Sequence, residues 1–434
     1  MIIVFLSACS GSDNAEQAEQ PSEDADLTRE YEGTELNVLV KTGYESAAIT
    51  EFESDFEEAT GIELNIEVVD EPTLRNRFVL DASSGTGSYD VVATQFWYMP
   101  EYLQGDYLEP LDEYIETSAS DWLAVDEMSD GLLETYRGDD GNLYSLPVST
   151  SGGVLIYRED LFEEYNIPVP KTTKDVLEAA KILDEKLPDN IVPFVGRGDA
   201  SSDSFGSTAG WAWAYGASVL NEQGNKVTID TPEMKEALND WVTLMTEYGP
   251  EDAGVMGWDT MSEMFRQGRA AMNFDMSGFP SVYVDPESSE VSENVGVTTI
   301  TGPDGGNVAQ WVYGEGLGIN KYSENKEAAW LFLQWRTSLE VAEKELEEGI
   351  RVDFPHTSIY ETELYKEHTK HLSFADQIPI IMESVDTTYW PNVAAFDRVA
   401  QALQEEVSLA IQGMIDTDDV IDNAQKNISE LIGE

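Results

Sequence analysis

Ten tryptophans and 19 tyrosines stand in this chain of 434 residues, and many fall outside the stripes that pack helices. Gln95-Phe96-Trp97-Tyr98 follows the apolar run "YDVVAT". Trp211-Ala212-Trp213-Ala214-Tyr215 follows "RGDASSDSFGSTAG", Trp258 is joined to Asp259, Trp311 precedes "VYGEGLG", and Tyr389-Trp390 precede Pro391. An indole face stacks well on the C–H face of a polyhydroxylated molecule. Its hydroxyls then need acceptors, and carboxylates such as Asp259, Asp275 and Glu315 accept hydrogen bonds strongly. Trp241, Trp330 and Trp335 repeat at helical spacing and read as core.

Other chemistries fit less well. Twenty-four Lys and Arg face 85 Asp and Glu, a formal charge of −61. Such a surface repels phosphate backbones, so no nucleic-acid partner is expected. Glycoside hydrolysis needs two carboxylates roughly 5–9.5 Å apart, and with so many acids any pair is uninformative; a secreted carbohydrate-active enzyme is the weaker reading. A cationic guest such as a polyamine is the other alternative, since carboxylates beside aromatics also hold ammonium groups. Acidic solutes are not expected, because few basic residues lie in the candidate loops. Gly85-Thr86-Gly87 lacks the later glycines of a dinucleotide loop. Walker, zinc-spacing and EF-hand patterns are missing, so neither cofactor nor metal is expected.

These side chains must be carried by about 400 residues, more than one core usually supports, so two lobes are expected. "ELNVLV", a helix-spaced run with Ile49, Phe52, Phe56 and Ala59, and the alternating "IELNIEVV" make strand, helix, strand. That is a βαβ unit, which implies a parallel sheet. "GGVLIYR", "IVPFVG", "AAMNFD", "VGVTTI" and "GEGLGIN" read as further strands. "TKDVLEAAKILDE", "TPEMKEALNDWVTLMTEYGP" and "SENKEAAWLFLQWRTS" read as helices, and the end of the chain is helical. The class is α/β with crossover helices, whose ligands bind beyond the carboxyl ends of strands.

The single cysteine, Cys9, excludes an internal disulfide. It ends the apolar run from Ile2 to Ala8, too short for a bilayer span of roughly 20 residues. Leu6-Ser7-Ala8-Cys9 resembles the bacterial lipobox, in which the thiol is lipidated and the chain is cut just before it. The charged start of such a signal is missing, as a late start codon or a truncated signal would leave it. Residues 10–32 hold eight acids and one base, Arg29, and read as a disordered acidic tether. The expected location is the outer face of the cytoplasmic membrane, on a lipid anchor.

The stretch "PVSTSGGVLIYREDLFEEYNIPVPKTTKDVLEAAKIL" resembles one shared by the family 1 extracellular solute-binding proteins, the sugar receptors of ABC importers. Pro147, Val148, Ser149, Val154, Leu155, Ile156 and Tyr157 fit the pattern; Arg158 replaces its usual Asn or Asp. "FESDFEEATGIELNIEVV", "ETYRGDDGNLYSLPV", "FRQGRAAMNFDMSG" and "GLGINKYSENKEAAWLFLQW" are similar to further stretches of that family. "YDVVATQFWYMPEYLQGDYLEPLDEYI" looks most like members that take sugars or polyols.

The resemblance implies a two-lobed periplasmic-binding-protein-like fold of type II, with hinge-linked lobes and a central cleft. Residues 1–9 would be the signal remnant, 33–146 with 297–337 the N-terminal lobe, and 147–296 with 338–434 the C-terminal lobe. It implies a monomer that is not an enzyme. This would capture a sugar, oligosaccharide or polyol and deliver it to ABC permease subunits. Carried over position by position, its cleft residues are Tyr44, Gln95, Trp97, Trp211, Asp275, Trp311 and Glu315. Arg351 matches a family Gly-x-Arg turn, with His356 where a second basic residue often follows.

An acidic coat spread along the whole chain also suits high salt, where the Debye length falls to about 3 Å at 1 M. The melting temperature is therefore expected to rise from dilute buffer to molar NaCl; an unchanged value in a thermal scan would count against salt adaptation.

Overall fold

The computed structural model describes residues 29–434 apart from Gly43, Phe279, Thr388 and Asn392. Cys9 and residues 10–28 of the expected tether lie outside the described residues. Among the described residues nine strands are formed: β1 (Glu35–Lys41), β2 (Glu63–Val69), β3 (Val91–Gln95), β4 (Leu146–Ser151), β5 (Gly153–Arg158), β6 (Val192–Val195), β7 (Ala270–Met276), β8 (Val295–Thr298) and β9 (Tyr313–Ile319). They make two sheets, ordered β2-β1-β3-β9-β4 and β6-β7-β5-β8.

The predicted βαβ unit forms. Helix α1 (Tyr44–Thr60) joins β1 to β2, which pair in parallel with Glu35 opposite Glu63. Helix α2 (Glu71–Ser84) follows, capped by the Asp70 carboxylate, which accepts from the Thr73 backbone N–H. The parallel pairing of this unit does not extend through both sheets. β9 runs antiparallel to both β3 and β4, and β5 runs antiparallel to both β7 and β8. The cause is the crossing of the chain between sheets: a strand that enters from the other sheet returns against its neighbours.

Helix α3 (Thr173–Asp184) opens on a capping box between Thr172 and Asp175. Helix α4 (Phe205–Ala214) leads to α5 (Pro232–Glu247), where Thr231 caps and Pro232 opens as the sequence suggests. Buried Met234, Ala237, Leu238, Trp241 and Met245 of α5 confirm its apolar stripe. Helices α6 (Lys326–Arg336), α7 (Leu339–Glu347), α8 (Phe396–Ile411) and α9 (Thr417–Ile432) follow toward the end of the chain.

Four expected boundaries move. The first lobe does not resume at 297: Val297 and Thr298 of β8 pair with β5 in the second sheet, and Thr301 pairs with Thr172. β4 lies in the first sheet although the second lobe was expected to begin at 147; the chain passes between sheets at Gly152. Residues 29–32 are not loose: Arg29 donates to the Glu58 carbonyl at 2.8 Å, and Tyr31 packs against the core. Residues just past 338 pack on the first lobe, where Lys344 pairs with Asp55 at 2.8 Å and Thr357 N–H donates to the Glu127 carbonyl at 2.8 Å. Second-lobe packing resumes near Leu372, which joins Val154 and Ile156 in one apolar cluster.

His356 holds this returning segment. Its ring is buried, with Nε2 2.9 Å from the Thr337 carbonyl. Burial lowers its pKa from 6.5 to about 4. The unfolded chain therefore takes up a proton that the folded chain refuses. The stability held by the neutral ring is complete above 6.5 and is lost as pH falls toward 4, a loss of about 3 kcal/mol. Urea unfolding at pH 7 and 4.5 should show His356→Gln losing about 2–3 kcal/mol less than the parent over this interval. Equal losses would refute that role.

Candidate functional site

The first-lobe half of the site is set by strand register. β3 and β9 are antiparallel, and their pairing puts Gln95 directly opposite Glu315. Both side chains are wholly buried, and Gln95 Nε2 donates to Glu315 Oε1 at 2.9 Å. The Tyr313 hydroxyl donates to the same oxygen at 3.0 Å. Lys41, the last residue of β1, lies 3.5 Å from it. The lysine also lies 3.4 Å from Glu71 and 4.7 Å from the centre of the Tyr313 ring. Trp97, in the turn after β3, packs on Tyr313 with ring centres 5.4 Å apart. The carboxylate thus keeps a counter-ion and two donors, as a buried charge requires.

The second-lobe half is built on Arg197, two residues past β6. Its guanidinium forks onto Asp275 at 2.8 and 3.2 Å and reaches Asp203 at 2.7 Å. Burial opposes the charge on Arg197, but the two carboxylates outweigh it and raise its pKa. For Asp275, burial pushes the carboxyl up and Arg197 pulls it back. The guanidinium also lies 3.9 Å from the Trp311 ring centre. Trp311 sits two residues before Tyr313 on the same run of chain, which therefore links the two halves. Gly206 and Gly210 of α4 let that run lie against the helix. A Cβ at Gly210 would sit 1.3 Å from the Gln310 carbonyl oxygen, and one at Gly206 would sit 2.9 Å from the Trp311 ring.

Aromatic rings close the two lobes on each other. Trp97 stacks on Trp390, which precedes α8, with centres 5.7 Å apart and planes 21° apart. Trp390 also meets Phe96, Phe205 and Phe396 at 5.4, 5.5 and 5.0 Å.

Of the residues expected at the site, Gln95, Trp97 and Glu315 share the first half, and Asp275 and Trp311 share the second. Trp211 does not join them. It is wholly buried against Trp241 and Phe274, at 5.5 and 6.0 Å, because α4 turns its glycine face to Trp311 and its indole to the core. Trp258 packs half-buried against the apolar cluster of Val154, Ile156 and Phe265. Asp259 is exposed and opens on a hollow lined by Pro250, Met256 and Glu263, none of them in either half-site. Arg351 is committed to the lobe crossing: it donates to the Val148 carbonyl at 2.8 Å and to Asp353 at 3.3 Å. The Tyr44 side chain lies outside the described residues.

Lys41, Arg197 and Tyr313 went unselected, and Trp390, noted among the aromatics outside helical stripes, was not carried to the cleft. The expectation that few bases lie in the strand-end loops overlooked the first two, each at or just past the carboxyl end of a strand. That position was their signal.

Two α/β sheets, crossed by the chain and meeting at an aromatic and ionic seam, define a two-lobed solute-binding protein. Residues 41–343 match the model of the bacterial extracellular solute-binding proteins, and the chain belongs to that family. It is 22% identical over 400 residues to the erythritol/L-threitol-binding protein of Mycolicibacterium smegmatis, covering 87% of this chain and 82% of that protein. It is 28% identical over 291 residues to the mannitol-binding protein of Pseudomonas aeruginosa, covering 65% of this chain and 64% of that one, just under two thirds of its length. The ABC transporter solute-binding protein from Agrobacterium radiobacter in complex with ribitol superposes with a TM-score of 0.80 at 26% identity, covering 92% of this chain and 99% of the other.

Proposed function

We propose that this protein is the extracytoplasmic substrate-binding component of an ABC importer, and that it captures a sugar or polyol between its lobes for delivery to the membrane permease. The observation that carries this reading is the seam itself. The Trp97 and Trp390 indoles stack on each other across it, Trp97 packs on Tyr313 beside Glu315, and the charges of Glu315 and Asp275 are already balanced by Lys41 and Arg197. A site neutralised in advance suits a neutral guest with many hydroxyls, which exchanges hydrogen bonds with water for hydrogen bonds with fixed acceptors and donors. The same two cations disfavour a polyamine. The closeness of the indoles favours a short guest, a linear polyol or a single sugar ring. The names of the relatives point the same way.

Ligand bridging the lobes would shift the hinge population toward the closed form, in proportion to its preference for that form. Cys9 would hold the protein to the membrane through lipid, with the acidic segment after it as a leash, and the acidic surface would suit a saline medium.

Calorimetry and thermal shift against four- to six-carbon polyols, monosaccharides, oligosaccharides and polyamines in high salt test the guest. A polyol or monosaccharide at 100 times its Kd should stabilise the fold by about 2.7 kcal/mol. Trp97→Ala should weaken that binding at least tenfold, about 1.4 kcal/mol. Binding of polyamines alone would overturn the reading. Mass spectrometry of the native N-terminus should find Cys9 lipidated; an unmodified thiol removes the anchor.

A further inference from the structure

The seam carries an ionic cluster that solute capture leaves unused. Tyr98 belongs to the first lobe, beside Trp97, and Asp397 opens α8 on the second. The Tyr98 hydroxyl lies 3.1 Å from Glu71 Oε1 and 3.3 Å from each Asp397 oxygen. A phenol has one hydrogen to donate. It can satisfy one carboxylate, and the other then meets its lone pairs.

The surrounding charges do not resolve the mismatch equally. On α2, Glu71 has Lys41 at 3.4 Å. Arg75, also on α2, reaches Asp397 with its field and lies 5.5 Å from the Tyr98 ring centre, but its hydrogen bonds go to Glu101 at 2.7 and 2.7 Å and to Asn76 at 3.4 Å. From the helix Met99–Gln104, Glu101 is therefore occupied and Tyr102 is neutral and buried behind Tyr98. On α8 itself, Arg398 is exposed. Burial pushes the Asp397 carboxyl above its ordinary value, and Arg75 and Tyr98 only partly pull it back.

One added proton makes the cluster consistent. A protonated Asp397 donates to the Tyr98 oxygen, Tyr98 donates to Glu71, and Glu71 stays ionised against Lys41. We propose that closing the lobes takes up one proton from solvent onto Asp397, shared through Tyr98 with Glu71, so that the protein grips its guest more tightly as the medium turns acidic. The proposal rests on the seam between the lobes being the solute site. In the open form Asp397 regains water and its ordinary acidity. Closure, and with it affinity, therefore strengthens as pH falls from neutral toward that ordinary value, by at most tenfold per pH unit.

The test has one arm without a guest and one with it. In molar NaCl, small-angle scattering of the guest-free protein and the exciton signal of the stacked indoles should both report more closed molecules at pH 5.0 than at 7.5. Asp397→Asn, whose amide can donate to Tyr98 permanently, should be equally closed at both. With a bound polyol, Kd should fall at least threefold over the same interval in the parent and stay within 1.5-fold in Asp397→Asn. Calorimetry in two buffers of different ionisation heat should count proton uptake only in the parent. Closure independent of pH in the parent, or an equal pH dependence in the variant, overturns the proposal. If no polyol or sugar binds, the solute reading fails, while the scattering arm still decides the proton linkage.

Discussion

A carboxylate with no access to water must be neutralised or it will not stay charged. Glu315 is that carboxylate here, and much of the first lobe can be read as the answer to it. The antiparallel pairing of β3 and β9 supplies Gln95 opposite, and β9 itself supplies Tyr313. The parallel pairing of β1 with β3 brings the end of β1, and so Lys41, to the same spot. A change of one residue in either register would turn these side chains to the other face of the sheet. The sheet order is therefore a condition of the site as well as of the core.

The second lobe solves the same problem with different parts. Asp275 is the last but one residue of β7 and Arg197 follows β6, and the two strands are parallel neighbours. Their carboxyl ends lie side by side, so acid and base meet without any help from a distant loop. Trp311 covers the guanidinium and hands the chain on to Tyr313. Ionic and aromatic contacts thus alternate along one short run between the lobes, and the buried charges of each half are paired within that half.

Much of this was legible in the residues. Alternation and helical spacing located β1, α1, β2, α3 and α5, because those elements bury one face and expose the other. Gln95, Trp97 and Asp275 lie near or just past the carboxyl ends of strands, where a parallel sheet leaves its crevice, and Glu315, near the start of antiparallel β9, stands opposite Gln95. The failures have physical causes too. Trp211 also follows a strand-end loop, but its direction depends on which side of α4 has no Cβ, and Gly206 with Gly210 decided that. Lys41 reaches Glu315 only through the pairing of β1 with β3, which the spacing of residues along β1 does not reveal. Asp259 has the right chemistry beside the right ring, but its place at the exposed start of its helix keeps it apart.

Between β4 and β5 there is a single residue, Gly152, and the sheets on either side are each anchored by their own neighbours. So short a link has almost no slack. It lets the halves swivel about a point near that glycine but forbids them to slide or draw apart there. Motion of the molecule is thereby reduced to something like a door on a fixed pivot, and the travel of any group is set by its distance from it.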